Sequence, residues 1–556
     1  METLRSSSMD ELNSLCAELR SRIIEVSLKN GGHLGASLGA VEIAVALHRV
    51  FKSPDEPLLW DVGHQAYAHK LLTGRESTFE RLRQWGGPSG FLSRKESVHD
   101  VFGGGHSSTA LSAALGMAYA RAGTLNWTVA VVGDGAMTAG LFFEALQQTI
   151  AAPTGPILLV LNDNGMSISK NVGVLPELFL SEKAKDFFHS MGWEYSGPIQ
   201  GHDLAVLLPA IEKIKATGQT GRRVILHVRT QKGMGYVPAE DHPTEFHGVS
   251  NQASAQKTYS QVFGELLCRL AEKDPRIVAI TAAMSEGTGL NEFAQRFPNR
   301  FFDVGIAEQH AVTFAASLAT QGFIPVVAIY STFLQRAMDS IIHDVALQSL
   351  GVIFAIDRAG LVGPDGATHH GAFDLAFLKS VPHFTISAPA NSDEMESELL
   401  AAVESGGPWA IRYPRGVCPA ASVPVSIQSR KPRKIAVGVG AAVHRLVEAA
   451  EQVDPAHDCI TVLGVTRVWP MPEALVQELV QLADLGESKL LIVEDGMKVG
   501  GFGESLLLAL SQRGKWSGPG AAEVWGLPAE FVEHGTVPEL ERAIHVSVQD
   551  CVEWMR

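Results

Sequence analysis

Two stretches decide the fold: Thr128-Val-Ala-Val-Val-Gly133-Asp134-Gly135 and, after a helix-like run through Leu146, Ile157-Leu-Leu-Val-Leu-Asn-Asp-Asn164. Each begins as an uninterrupted apolar run, short enough for a strand buried on both faces, and each ends on small or polar residues. The thirty positions from Asp134 to Asn164 are what one strand–helix–strand unit spans. The two runs are therefore predicted to be adjacent parallel strands, with Asp134 and Asn164 at their carboxyl edge. That edge is where open α/β sheets bind ligands. A carboxylate, an amide oxygen and a backbone carbonyl at one point suit Mg²⁺, which takes few protein ligands and completes its octahedron with phosphate and water oxygens. Gly-Asp-Gly alone is compatible with an ordinary turn; the second strand end gives it weight.

The same alternation of apolar runs and helix-like spacing continues outward. Leu12, Leu15, Leu19 and Ile23 keep a helical period, and Val224–Val228 reads as a further strand leading to Lys232-Gly-Met-Gly-Tyr236. A small, polar stretch at 248–258 reads as a linker, and a second series follows with Ile277–Ile280, Val326–Ile329 and Val352–Ile356. Ser422–Lys434 reads as another linker, before Ile435–Val439, Ile460–Val465 and Leu490–Val493. The expectation is an α/β chain of three domains, 1–247, 259–421 and 434–556, each a mostly parallel sheet flanked by helices.

Composition narrows the function classes. With 45 Lys+Arg against 60 Asp+Glu in 556 residues, the net charge is −15, which argues against general nucleic-acid binding. No apolar run approaches the roughly 18–20 residues of a membrane span, and the start lacks the apolar segment of a secretory signal. The five cysteines are scattered without a Cys-x-x-Cys; they read as reduced thiols of a cytoplasmic protein and offer no zinc site. The 54 glycines are an excess, and they cluster, as at Gly103-Gly-Gly105, Gly133/Gly135, Gly363/Gly366 and Gly500-Gly501/Gly503. Such clusters mark turns where backbone comes close to something.

Gly103-Gly-Gly105-His106-Ser107-Ser108 precedes a small-residue helix at Thr109–Ala120, an entrance whose amides and helix terminus suit a phosphate. No Gly-x-x-x-x-Gly-Lys-Ser/Thr loop is present, and no Gly-x-Gly-x-x-Gly follows a first strand, which weakens a nucleotide reading. Glu308 stands in an otherwise apolar stretch. It reads either as a helix-capping carboxylate or as a buried acid of raised pKa that shares a proton with a ligand nitrogen.

These residues resemble thiamine diphosphate enzymes of the transketolase type, and among them the 1-deoxy-D-xylulose-5-phosphate synthase family. The resemblance runs from about Gly31 to about Gly503 and is carried by Gly-Gly-His33-Leu-Gly, Trp60-Asp-Val-Gly-His64-Gln-Ala-Tyr, Gly105-His106-Ser-Ser-Thr, Gly-Asp134-Gly-Ala, Leu-Asn-Asp-Asn164-Gly-Met, Ile-Ala-Glu308-Gln-His, Tyr330-Ser-Thr-Phe-Leu-Gln-Arg336, Asp357-Arg358-Ala-Gly, Asp365-Gly-Ala-Thr-His369-His370 and Arg412-Tyr-Pro-Arg415-Gly. It implies a transketolase-like fold, decarboxylative condensation of pyruvate with D-glyceraldehyde 3-phosphate, a homodimer, and a cofactor contacted from the first two domains. Asp134, Asn164 and the Met166 carbonyl would hold Mg²⁺ on the diphosphate. His64, Gly105, His106, Ser107, Gly135, Ala136, Asn164 and Tyr236 would contact the cofactor, with Phe333 stacking on its pyrimidine.

Glu308 would bond a pyrimidine nitrogen and favour the imino tautomer. Tyr330, Arg336, Arg358 and Arg415 would hold the sugar phosphate, and His33, His64, His247, His369 and Asp365 would transfer protons and bind carbonyls. Of the adjacent pair, His369 rather than His370 matches the motif. Transketolase itself or another 2-keto acid decarboxylase is the nearest alternative; a non-catalytic homologue and a nucleotide-dependent oxidoreductase are further away. One departure stands out: only 18 residues separate Gly173 from Gly192, where family members usually carry several tens near the active-site mouth.

Overall fold

A computed structural model describes residues 2–148, 154–168, 170–249 and 256–556. Most of the stretch at 248–258 read as a linker lies outside them. The chain divides into two compact units, Met1–Ala253 with Gly305–Ala307, and Ser254–Val304 with Glu308–Arg556.

The first unit is built on a five-stranded parallel sheet of β1 (Leu58–Trp60), β2 (Thr128–Gly133), β3 (Ile157–Asp163), β4 (Glu194–Gln200) and β5 (Arg223–Arg229), ordered β1-β2-β3-β5-β4. All seven residues of β3 are buried, as a central parallel strand covered on both faces requires. Gly133 of β2 stands opposite Asn162 of β3, so both strands end together and put Asp134 and Asn164 at one edge. The helix Met9–Asn30 starts at a capping box of Ser8 and Glu11 and buries Leu12, Leu19 and Ile23, the face its period predicts.

The short connection after Gly173 folds into two small helices, Leu175–Leu180 and Lys183–Ser190. Phe179 and Phe188 of these helices are buried and stack at 6.2 Å.

The second unit holds two sheets. A seven-stranded one contains β6 (Ile277–Thr281), β7 (Phe301–Asp303), β8 (Ile324–Tyr330), β9 (Ile353–Ala359), β10 (Thr385–Ser387), β11 (Trp409–Pro414) and, from later in the chain, β15 (Arg467–Trp469); its order is β15-β10-β11-β9-β8-β6-β7. The five-stranded sheet contains β12 (Ser426–Ile427), β13 (Lys434–Val439), β14 (Ile460–Val465), β16 (Lys489–Met497) and β17 (Ala522–Leu527).

Two antiparallel edges cross the divisions read from sequence. β15 comes from the last third of the chain yet pairs with β10 of the seven-stranded sheet. The stretch read as the second linker carries β12, which pairs with β14. One apolar core accordingly runs from Val327 and Phe354 to Val437 and Ile492.

The Gly500-Gly501/Gly503 cluster also has a structural rather than a ligand-facing role. Glu494 of β16 accepts from Phe502 N and Gly503 N, both at 2.9 Å. The protein's own carboxylate thus fills the N-terminus of the helix Phe502–Ser511. A Cβ on Gly501 would lie 2.5 Å from both Glu494 oxygens. Among the described residues no helix is long and apolar enough to cross a membrane.

Candidate functional site

In the first unit the carboxyl edge of β2 and β3 gathers the predicted residues. Asp134 is 2% exposed. Its Oδ2 accepts from Gly165 N at 2.7 Å and Asn171 Nδ2 at 2.8 Å, while Oδ1 is buried without a hydrogen-bond partner. Burial, reinforced by the nearby Asp163 charge, raises its pKa; a carboxylate so placed is stabilised by a cation.

Asn164 Oδ1 accepts from Met166 N at 3.1 Å, which leaves a lone pair. Among the described residues no group of three or more His, Cys, Asp or Glu could hold a metal. A cation at Asp134 would therefore draw its remaining ligands from amide and carbonyl oxygens and from a ligand's own phosphate. Gly135 is a steric necessity here, because a Cβ would stand 2.7 Å from Ser167 Cβ.

Beside this edge stand His33, His64 and His247, with ring centroids 5.5–5.9 Å apart. Burial, helped by the Lys232 charge, lowers His64 to about 3 and holds His247 well below the usual imidazole range. Nδ1 of both is buried without a hydrogen-bond partner, so two neutral rings offer nitrogens to a ligand. Lys232 was not singled out by its sequence. It is 4% exposed and donates to the carbonyls of Ser167 at 2.7 Å and Ile168 at 3.2 Å. Burial pushes it down to about 8, against the Asp134 charge. Tyr236, at the head of the helix Val237–Asp241, packs edge-on against Phe246 at 5.7 Å.

One expectation is corrected. The helix after Gly103–Ser108 runs over Ala110–Ala120, but part of its entrance is already taken by the protein's own carboxylate. The Asp61 carboxylate accepts from Ser108 N at 2.7 Å and Ala110 N at 3.1 Å.

In the second unit Glu308 opens the helix Glu308–Thr320 and is 3% exposed. Its Oε2 makes no hydrogen bond; Arg336 Nη1 stands 3.9 Å away. Burial raises its pKa, and Arg336 opposes the rise. Phe333 lies nearly parallel to Tyr330 at 5.9 Å and edge-on to His369 at 5.4 Å.

A cavity of about 120 Å³ is lined by Tyr330, Arg358, Val362, Asp365, His369 and Arg415. The Arg358 guanidinium lies 4.2 Å from the Tyr330 ring centroid. Its Nη1 bonds Asp357 Oδ2, Ser260 Oγ and Gly287 O at 2.6–2.9 Å. Arg358 also adopts a left-handed backbone, φ 58°, a strained state found where function demands placement. Arg415 donates to Asp365 Oδ2 and Val362 O, each at 3.3 Å. Asp365 is thereby a partner of the arginine as well as a wall of the cavity.

Arg336 does not line this cavity; it belongs beside Glu308. His370 is buried, accepting from Val362 N and bonding Glu533 O, both at 3.1 Å. Its two nitrogens serve the loop, whereas His369 faces the cavity.

Comparison with known proteins agrees over the whole chain. The family model described as 1-deoxy-D-xylulose-5-phosphate synthase matches residues 1–186 and 177–230. The transketolase pyrimidine binding domain matches 255–420 and the transketolase C-terminal domain 425–551. The 1-deoxy-D-xylulose-5-phosphate synthase of Magnetococcus marinus is 44% identical, over 98% of this chain and 96% of its own. That of Nitratidesulfovibrio vulgaris is 46% identical, over 96% and 92%. The chain belongs to the 1-deoxy-D-xylulose-5-phosphate synthase family. It is an enzyme of the transketolase type. A transketolase structure from Campylobacter jejuni, 16% identical, covers 99% of this chain and 100% of its own with a TM-score of 0.46.

The synthase model splits into two matches that overlap at 177–186, inside the stretch between Gly173 and Gly192. The pair of small helices occupies this stretch, with Phe179 packed edge-on to His227 at 6.0 Å.

Proposed function

We propose that this synthase-family chain condenses pyruvate with D-glyceraldehyde 3-phosphate, releasing CO₂ and forming 1-deoxy-D-xylulose 5-phosphate, with thiamine diphosphate and Mg²⁺ bound. The observation that carries the reading is a pair of buried carboxylates, Asp134 and Glu308, each with one oxygen lacking a hydrogen-bond partner. One suits a cation, the other a ring nitrogen with which it shares a proton. When bound, thiamine diphosphate supplies the nucleophilic carbon that adds to a keto group.

Asp134, Asn164 and the Met166 carbonyl would hold Mg²⁺. Gly105–Ser107, Gly135–Ala136, His64 and Tyr236 would hold the rest of the diphosphate end. Glu308 would hold a proton at Oε2 toward a pyrimidine nitrogen, with Phe333 against the ring face. Arg358 and Arg415, with Tyr330, would take the aldehyde's phosphate, since a guanidinium fork matches phosphate oxygens. His33, His64, His247 and His369 would accept or donate a proton near the carbonyl carbons. The proposal includes domains at 1–247, 259–421 and 434–556, and a homodimer working in the cytoplasm.

The test is product formation from pyruvate and D-glyceraldehyde 3-phosphate, with and without thiamine diphosphate and Mg²⁺. Turnover should require both, and CO₂ release from pyruvate should accelerate when the aldehyde is added. Faster turnover of xylulose 5-phosphate with ribose 5-phosphate would establish transketolase instead.

A further inference from the structure

Two loops of the first unit are folded against each other by one buried side chain. Asp61, 1% exposed, follows β1 and sends its oxygens to two amides of another loop, Oδ1 to Ser108 N and Oδ2 to Ala110 N. Next to it, the Val62 carbonyl accepts from Gly105 N at 2.7 Å. Ser108 Oγ donates to Ala136 O at 2.5 Å. His64, the turn 105–107 and Gly135–Ala136 are thus joined through residues 61, 62 and 108.

The junction is strained. Val62 has φ 57° and Ser108 φ 70°. A β-branched residue in the left-handed region is an outlier, and such conformers persist only where their surroundings over-determine them.

We infer that Asp61 is a positioning residue: its carboxylate holds Val62 and Ser108 left-handed, so that His64, His106–Ser107 and Gly135–Ala136 face one diphosphate together. The inference rests on the reading of those segments as cofactor contacts. A carboxylate does what a neutral cap does not. Both oxygens are engaged, and its charge offsets the terminus of an 11-residue helix.

The test is equilibrium binding of thiamine diphosphate with Mg²⁺ to the cofactor-free chain, followed by tryptophan fluorescence. Asp61→Asn should weaken binding at least about thirtyfold, while kcat at saturating cofactor stays within about threefold. Adding Val62→Gly, which removes the left-handed penalty, should recover about tenfold of the lost affinity, although Val62 touches no ligand in this reading. Asp61→Asn binding within threefold of wild type, or no recovery in the double variant, overturns the proposal.

If Asp61→Asn does not fold, Asp61→Glu decides. It keeps the helix capped but displaces both oxygens by a methylene, so affinity should still fall about tenfold; unchanged affinity overturns the proposal. A wild-type chain that fails to bind thiamine diphosphate would instead sink the functional reading itself.

Discussion

Asp134 in the first unit and Glu308 in the second are both buried carboxylates whose pKa is raised by burial, yet they are held in opposite ways. Asp134 has one oxygen pinned by Gly165 N and Asn171 Nδ2 and the other unpartnered. Glu308 Oε2 is unpartnered, with the Arg336 charge at 3.9 Å, and the carboxylate is otherwise met by its own residue's backbone N–H rather than by other segments. A pinned carboxylate is organised for a fixed cation, since its orientation is set before the ligand arrives. A loosely held one keeps the freedom to gain or lose a proton. The same desolvation serves metal binding in one unit and proton sharing in the other, and the hydrogen-bond partners make the difference.

The comparison is broken most severely at Glu308. Glu308→Gln keeps the shape and removes the exchangeable acid, so kcat should fall about a hundred- to ten-thousandfold, with Mg²⁺-dependent cofactor binding within a few-fold of wild type. Near-normal turnover would mean that Glu308 only caps its helix. Asp134→Asn should do the reverse. Cofactor affinity should drop beyond the roughly 10–100-fold that losing a supporting partner costs, while kcat at saturation suffers less.

Asp134 also predicts a pH effect whose sign is fixed. Its folded pKa is raised, so its contribution to stability is fully present below the unfolded value near about 4 and is lost as pH rises through the folded value. A bound cation reverses that loss. The melting-temperature gain from adding thiamine diphosphate with Mg²⁺ should therefore be larger at about pH 8 than at about pH 6. A gain independent of pH would argue that Asp134 is already ionised and paired without the cation.

A milder variant separates the two units by substrate. Arg415→Lys replaces a planar fork with a point charge. It should raise KM for D-glyceraldehyde 3-phosphate about tenfold and leave KM for pyruvate and cofactor affinity unchanged. Equal effects on both substrates would remove the cavity at Tyr330, Arg358 and Arg415 from phosphate recognition.

How much of this was legible in the sequence depended on burial. Central strands such as β3 and β13 are covered on both faces and read as apolar runs, so their positions and the juxtaposition of Asp134 with Asn164 followed from spacing. Edge strands are short or mixed: β4 is half exposed, β12 has two residues and β15 three. No period marks them, which is why a linker was read where β12 lies and why the sharing of β15 went unseen.

Site residues divided in the same way. Asp61 stood in a quoted motif without a role, because its partners lie 47 and 49 positions away and nothing local signals them. Lys232 likewise shows its relation to Ser167 and Asp134 only in three dimensions. The Gly500–Gly503 cluster marked a close backbone approach by composition; what approaches is the protein's own Glu494.

The smallest predicted effect probes how far the pinning of the first unit extends. Tyr195 OH bonds His227 Nδ1 at 2.6 Å, and His227 Nε2 bonds Asp163 Oδ2 at 2.7 Å. Asp163 is the charge that helps to raise Asp134. With the hydroxyl donating to Nδ1, the imidazole carries its proton on Nε2 and donates to Asp163, which fixes that carboxylate beside Asn164. Tyr195→Phe removes only the outermost link. Stability should fall by about 1 kcal/mol, and cofactor affinity by no more than about twofold, because His227 still holds Asp163. A much larger loss of affinity would mean that the relay orients the cation edge from its far end. The small helices around Phe179 and Phe188, which pack on His227 and Tyr195, would then be part of what keeps Asp134 rigid, and the contrast with Glu308 would reach into the stretch between Gly173 and Gly192.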